Sequence, residues 1–390
     1  MAINWSDHPT WDALLREKVT NLPPSYAWEE VAQEMSRALR QPFTADQVRN
    51  RARRIGAVRP AVAALRAPTT STSRPATKWD ELLGLIQSEL RVPAAVEPPA
   101  VVTPAGLGTP ETMVVMVSDI HIGKLVERDV VGEAFGYDKG IFEARGRELF
   151  EGILRLRQLH STHGPIPKLA LFFIGDGVDG VDMRRGHSAR VDINGAAEQM
   201  VKLARYMAWL TQGLAAYFEE VDLNWEFGNH GRVGEFGVNL PADNWDYVSG
   251  LMVAEQLRDL KNVRVNVHAQ KYGIYKIGPL VAYAAHGDMV KGGLSSAAIK
   301  RHVANQENLH RQTFDLALLG HFHTSELYSA GATKVFMNGA WDGGDDFSVN
   351  QLVAASDPVQ WAFGVHPSRG VTWTYEITLS PRRPASPVLS

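Results

Sequence analysis

Five short apolar runs, each ending in a polar cluster, set the pattern of the chain from about residue 112 onward. They cover residues 113–117, 169–174, 223–227, 280–285 and 316–319. All are short and apolar, and the first is β-branched, as expected for strands covered on both faces. Between them, apolar residues recur at helical spacing and predict helices over about 138–158, 196–220 and 248–260. A final alternating stretch, 372–379, predicts the closing strand. Strands interleaved with helices indicate an α/β unit.

The first part of the chain reads differently. Helical spacing predicts three helices: 11–19 with Thr10 as its N-cap, 27–39 with Trp28, Val31, Ala32, Met35 and Leu39 on one face, and about 44–55. In the third, Thr44-Ala45-Asp46-Gln47 supplies the cap and first turn, and Val48, Ala52 and Ile55 share a face. Residues 60–77 and 93–110 are rich in Ala and Pro and read as linkers. An amphipathic helix over 78–91, with Trp79, Leu82, Leu83, Ile86 and Leu90, lies between them and is expected to dock on a domain or a partner chain. The layout is therefore a helical domain at 1–58, a linker at 59–111, an α/β domain at 112–380 and a tail at 381–390.

Composition narrows the functional classes. The net charge of −3 over 390 residues rules out a general polycation, so nucleic-acid affinity must be local. The local candidate is the third helix, where Arg49, Arg51, Arg53 and Arg54 follow Asp46 with no further acid, and Arg59 comes next. A three-helix unit with a basic last helix predicts phosphate contact on DNA; an ordinary solvated face is the alternative. The absence of cysteine excludes disulfides, thiolate zinc sites and cysteine nucleophiles. No secretory pattern opens the chain and no apolar run is long enough for a bilayer, so the expectation is a soluble cytoplasmic protein with no membrane partner.

The polar clusters carry the chemistry. They read Asp119-Ile120-His121, Gly175-Asp176-Gly177-Val178-Asp179, Gly228-Asn229-His230, His286-Gly287-Asp288 and Gly320-His321-Phe322-His323. α/β sheets hold their sites at the carboxyl ends of strands. In an extended segment Asp119 and His121 would point the same way and reach one ion. A lone His286 is ordinarily a core or surface residue, and a lone Asn229 a turn residue. Five oxygen and nitrogen clusters at five strand ends, without sulfur, instead suit a hard or borderline metal ion.

In this order the clusters resemble the calcineurin-like metallophosphoesterase superfamily, over residues 112–378. The resemblance implies a four-layer sandwich of two mixed sheets flanked by helices, and a dinuclear centre. Asp119, His121 and His323 would bind one ion; Asn229, His286 and His321 the other; Asp176 would bridge them. His230 would protonate or stabilise the leaving oxygen, with Asp179 orienting it. The nucleophile implied is a metal-bridging hydroxide, since two cations offset the charge of a phosphate ester and acidify bound water. Manganese is the first expectation, with Fe, Zn, Mg, Ni or Co as alternatives.

One position departs from the family: Gly231-Arg232 stands where an acid commonly follows Gly-Asn-His. Arg232 is a candidate for binding phosphate through its planar fork. Arg184, Arg185, His187 and Lys124 are further candidates for contacting a polyanion. Asp342, Asp345 and Asp346 read as a polar loop. The N-terminal unit resembles the Myb/SANT helix-turn-helix type through Trp5, Trp28 and Gln47-Val48-Arg49-Asn50-Arg51, and departs from it at Ala52, near the place of a third tryptophan.

Within the superfamily the clusters resemble SbcD-type exonucleases and the small exonuclease subunit of archaeal D-family polymerases, with phage-encoded proteins of similar layout. That implies a phosphodiesterase acting on DNA and gripped to it by the N-terminal unit, working in the host cytoplasm if phage-encoded. A second copy of the chain or a replication or repair protein is a further candidate partner. The alternatives are a phosphodiesterase or phosphomonoesterase for small or cyclic nucleotides, and a DNA-binding regulator with a silent phosphoesterase fold.

Overall fold

The structure, a computed structural model, describes residues 9–21, 28–55, 108–127, 136–183, 187, 190–193, 195–234, 237–344 and 357–379. The helix expected at 78–91, the tail at 381–390, and Trp5, Arg59, Arg184, Arg185, Asp345 and Asp346 lie outside them. Internal contacts divide the chain into two units, residues 1–77 and 78–390.

The first unit holds three helices, α1 (Pro9–Asn21), α2 (Trp28–Leu39) and α3 (Ala45–Arg54). They close around Trp11, Leu15, Val19, Val31, Ala32, Met35, Phe43, Val48 and Ala52. Thr10 lies inside α1 and is not its cap. Thr44 does cap α3, as a reciprocal capping box: its Oγ1 accepts from the Gln47 amide at 3.3 Å and its own amide donates to Gln47 Oε1 at 2.9 Å.

The second unit is mixed α/β. One sheet runs β11-β10-β1-β2-β3-β4, from β1 (Thr112–Val117), β2 (Lys168–Ile174), β3 (Glu220–Glu226), β4 (Val263–Val267), β10 (Val359–His366) and β11 (Gly370–Thr378). Its β1 to β4 are parallel, and β10 and β11 antiparallel. The other runs β5-β6-β7-β9-β8, from β5 (Tyr272–Ile277), β6 (Leu280–Ala285), β7 (Leu316–Leu319), β8 (Glu326–Ala330) and β9 (Thr333–Met337), with β6, β7 and β9 parallel.

The layering follows from strand alternation. Met113, Val115 and Val117 of β1 face a core shared with α4 (Lys139–Ser161), α5 (Ala196–Ala215) and α6 (Trp245–Leu257). Val114 and Met116 face the other way, into a core between the sheets with Ala282, Leu316, Leu318 and Phe336. Ala317 and Leu319 of β7 then face α7 (Ser296–His310) through Ile299 and Val303. The order helix, sheet, sheet, helix puts the carboxyl ends of β1, β2, β3, β6 and β7 at the loops that carry the five polar clusters.

Candidate metal centre

The first cluster leaves β1 at Ser118. Asp119 and His121 both have φ of 52°, so the extended alternation expected from the sequence is not what aims them. Two left-handed turns do so instead, held by the Asp119 amide donating to the Gly175 carbonyl and the His121 amide to that of Asp176. Asp176, His321 and His323 share this conformation, with φ of 51°, 72° and 56°. Non-glycine residues there cost about 1–3 kcal/mol each and cluster at functional sites.

The side chains converge in three groups, each with its ligating atoms within 4.8 Å of one another: Asp119, His121 and His323; Asp176, His286 and His321; His121, Asp179 and His230. In the first, the Nε2 atoms of His121 and His323 face each other at 3.1 Å, and His323 Nε2 is 3.4 Å from Asp119 Oδ1. In the second, His286 Nε2 lies 3.0 Å from Asp176 Oδ2 and 3.2 Å from Asn229 Oδ1. His286 Nδ1 donates to the Ile174 carbonyl at 2.9 Å, which aims Nε2 at two oxygens, with a lone pair there whenever the ring is neutral. Lone pairs facing lone pairs need a cation between them. A proton is one such cation, and a divalent metal is another.

The electrostatics agree. Burial works against a charged His286 ring, but the Asp176 carboxylate outweighs it and pushes the ring up to about 10. His230 is likewise opposed by burial, yet Asp176 and Asp179 raise it to about 9. His321 is driven down to about 4 by burial and the neighbouring His286. Burial alone would raise the Asp176 carboxyl, but the charges of His286 and His230 hold it well below the usual range.

Around these side chains lies a supporting set. Asp119 accepts from the Ser118 hydroxyl at 2.5 Å and from the His321 amide at 3.0 Å. Ser118 Oγ accepts in turn from Asn338 Nδ2 at 3.0 Å, and Asn338 Nδ2 also donates to Gln360 Oε1 at 2.8 Å. Asp179 meets His230 through its backbone: His230 Nδ1 donates to the Asp179 carbonyl at 2.8 Å, while Asp179 Oδ1 is 3.5 Å away. The Asp179 carboxylate is instead engaged by His187 Nε2 at 2.7 Å, with His121 Nδ1 at 3.3 Å. His187 is thus a buried support rather than a contact on a solvated loop. Lys124 is also buried, and its ammonium bonds the Asp342 carboxylate. Asp342 is a buried partner and not part of a polar loop. Arg232 is half-buried, its Nε donating to the Gly234 carbonyl at 3.1 Å.

Sequence reasoning missed Ser118, Asn338, Gln360, Asn244 and Asp246. Asp246 is fully buried, and burial and the Asp176 charge push it up to about 6. Asn244-x-Asp246 ahead of an apolar helix was a readable capping signal; its contact with the loops that carry Asp176 and Asn229 was not.

In the N-terminal unit, Arg51 grips Asp12 with two bonds, Nε to Oδ1 at 2.8 Å and Nη2 to Oδ2 at 2.6 Å. That guanidinium, a candidate for DNA contact, is engaged inside the unit. Arg49 pairs with Asp46 at 3.2 Å, and Arg54 is exposed. The side chain of Arg53 lies outside the described residues.

No family model and no curated protein sequence matches the chain. Among solved structures it is similar to a Vps29 single mutant from Entamoeba histolytica, with 12% identity, a TM-score of 0.29, and coverage of 68% of this chain and 98% of that one. A predicted phosphoesterase from Streptococcus pneumoniae gives 10% identity and 0.28, covering 68% and 98%. A 5'-nucleotidase from Candida albicans gives 10% and 0.35, covering 70% and 52%. Similarity at this level adds nothing to the reading of individual residues. Among the described residues, no helix is long and apolar enough to cross a membrane.

Proposed function

We propose that this chain is a hydrolase of phosphate esters that works with two divalent cations. What carries the reading is the convergence of nitrogen and oxygen donors from five strand ends into three adjoining groups, five of the residues held in left-handed turns. Asp119, His121 and His323 would hold one ion, and Asn229, His286 and His321 the other, with Asp176 shared. Bound there, two such cations supply charge neutralisation for a phosphate and a lowered pKa for water.

The chain's own residues supply the rest. Ser118 and the His321 amide hold the Asp119 carboxylate in place. Ile174 fixes His286 so that Nε2 is the ligand atom. The Asp179 carbonyl fixes His230 through Nδ1, leaving Nε2 to pass a proton to the leaving oxygen. Arg232, two residues beyond, is assigned to a phosphate oxygen of the substrate. Arg184 and Arg185 are assigned to the same role.

The substrate we assign is DNA, cut at its phosphodiester bonds, with manganese as the working metal. A separate three-helix unit bearing Arg49, Arg53 and Arg54 supports this as a phosphate grip, which would not read sequence. One observation favours a smaller nucleotide diester instead: Arg51 is tied to Asp12, which shrinks the basic face. A substrate panel separates the two. With Mn²⁺, labelled oligonucleotides, bis-p-nitrophenyl phosphate and 2′,3′-cyclic nucleotides are compared for wild type, Asp176→Asn and chelated protein. Cleavage of oligonucleotides, lost on chelation and in Asp176→Asn, is expected. Intact oligonucleotides beside cleaved small diesters would remove the nuclease assignment, and no hydrolysis of any ester would remove the whole reading.

A further inference from the structure

We infer that Asp246 is a positioning residue, whose carboxylate staples the loop bearing Asp176 to the loop bearing Asn229 and so sets the spacing of the ligands they carry. The inference rests on the reading of the site as a metal centre.

Asp246 stands in the first turn of α6 and has no exposed surface. Its Oδ2 accepts from the Gly177 amide at 3.3 Å and the Gly228 amide at 3.1 Å, and its Oδ1 from the Val178 amide at 3.1 Å. Gly177 follows Asp176 directly, and Gly228 precedes Asn229. A carboxylate serving only its own helix would turn to the first amides of α6. These three donors all come from the two ligand loops. That capping task falls to Asn244, whose Oδ1 accepts from the Asp246 amide at 2.9 Å. Asn244 Nδ2 also donates to the Gly228 carbonyl at 2.7 Å. One helix start thus holds Gly228 by both its amide and its carbonyl.

The fit leaves no slack. A Cβ on Gly231 would overlap Asn244 Oδ1 and come within 2.9 Å of the Asp246 amide. A Cβ on Gly228 would overlap Asp176 Oδ1. Asp176 Oδ1 accepts from the His230 amide at 2.8 Å, so the two loops also meet beside the ligands. Moving either loop against the other would part Asp176 from Asn229, which both lie beside His286 Nε2. Supporting groups of this kind are worth about 10- to 100-fold in metal affinity.

The test is Mn²⁺ binding to the full-length chain by calorimetry, with Mn²⁺ electron paramagnetic resonance on the same samples. Wild type, Asp246→Asn, Asp246→Glu and Ser249→Ala are compared. Ser249 lies on the same helix and bonds the Met200 and Trp245 carbonyls, away from the loops. Folded Asp246→Asn and Asp246→Glu are expected to lose about 10- to 100-fold in affinity for one ion and to trade a spin-coupled pair spectrum for that of an isolated ion. Ser249→Ala is expected to melt lower and bind as wild type. Wild-type affinity in either folded Asp246 variant overturns the inference alone, whereas a wild-type protein that binds no Mn²⁺ overturns the metal reading with it. Should neither variant fold, amide exchange in the wild type decides: protected Gly177, Val178 and Gly228 amides support the staple, and freely exchanging ones overturn it.

Discussion

Seven non-glycine residues have positive φ among the described residues, and five of them are candidate ligands: Asp119, His121, Asp176, His321 and His323. The other two, Arg40 and Arg311, show what the conformation costs when nothing functional needs it. Arg311 ends α7 in the left-handed region, with φ of 51°. Arg311→Gly should therefore stabilise the protein by about 1 kcal/mol, read as a raised midpoint in thermal or urea unfolding. At Asp176 the same physics separates two variants that both remove a candidate ligand. Asn tolerates the left-handed region and Ala does not. Asp176→Asn and Asp176→Ala should both lose Mn²⁺ binding in calorimetry, with the Ala protein about 1 kcal/mol less stable. Equal stability of the two would mean that the turn is relaxed.

At the scale of elements, the capping box of α3 gives a clean measurement. Thr44→Ala removes an acceptor for the Gln47 amide and should destabilise the N-terminal unit by about 1 kcal/mol, seen in its thermal unfolding. That box was legible in four adjacent residues, as were the five strands, whose apolar runs coincide with β1, β2, β3, β6 and β7. Helix α7 was not, because only Ala298, Ile299, His302 and Val303 of its fifteen residues are buried, too narrow a stripe to stand out. β10 was missed although all eight of its residues are buried. The candidate ligands could be picked out because each sits within a few residues of its strand. The groups that orient them were not, because Asn338 reaches Ser118 across 220 positions and Asp246 reaches Gly177 across 69. The arginines of α3 looked alike in sequence, and only the fold reveals that Arg51 belongs to Asp12.

Across the whole α/β unit, the two sheets meet at a buried acid. Tyr275 of β5 donates to Glu226 Oε1 of β3 at 2.6 Å. Burial, partly offset by that bond, holds the Glu226 carboxyl well above its ordinary range. The folded protein therefore keeps a proton that the unfolded chain releases above about pH 4.3. Stability contributed by the neutral acid is full below that pH and falls as pH rises toward the folded-state value. Glu226→Gln, neutral at every pH, should raise the melting temperature at pH 8 and make no difference near pH 4; a gain equal at both would contradict the raised carboxyl. The most direct test of the central claim is anomalous scattering at the manganese edge from crystals of the wild-type protein grown with Mn²⁺. Two peaks are predicted, one among Asp119, His121 and His323 and one among Asp176, Asn229, His286 and His321. A single peak, or none, would contradict it.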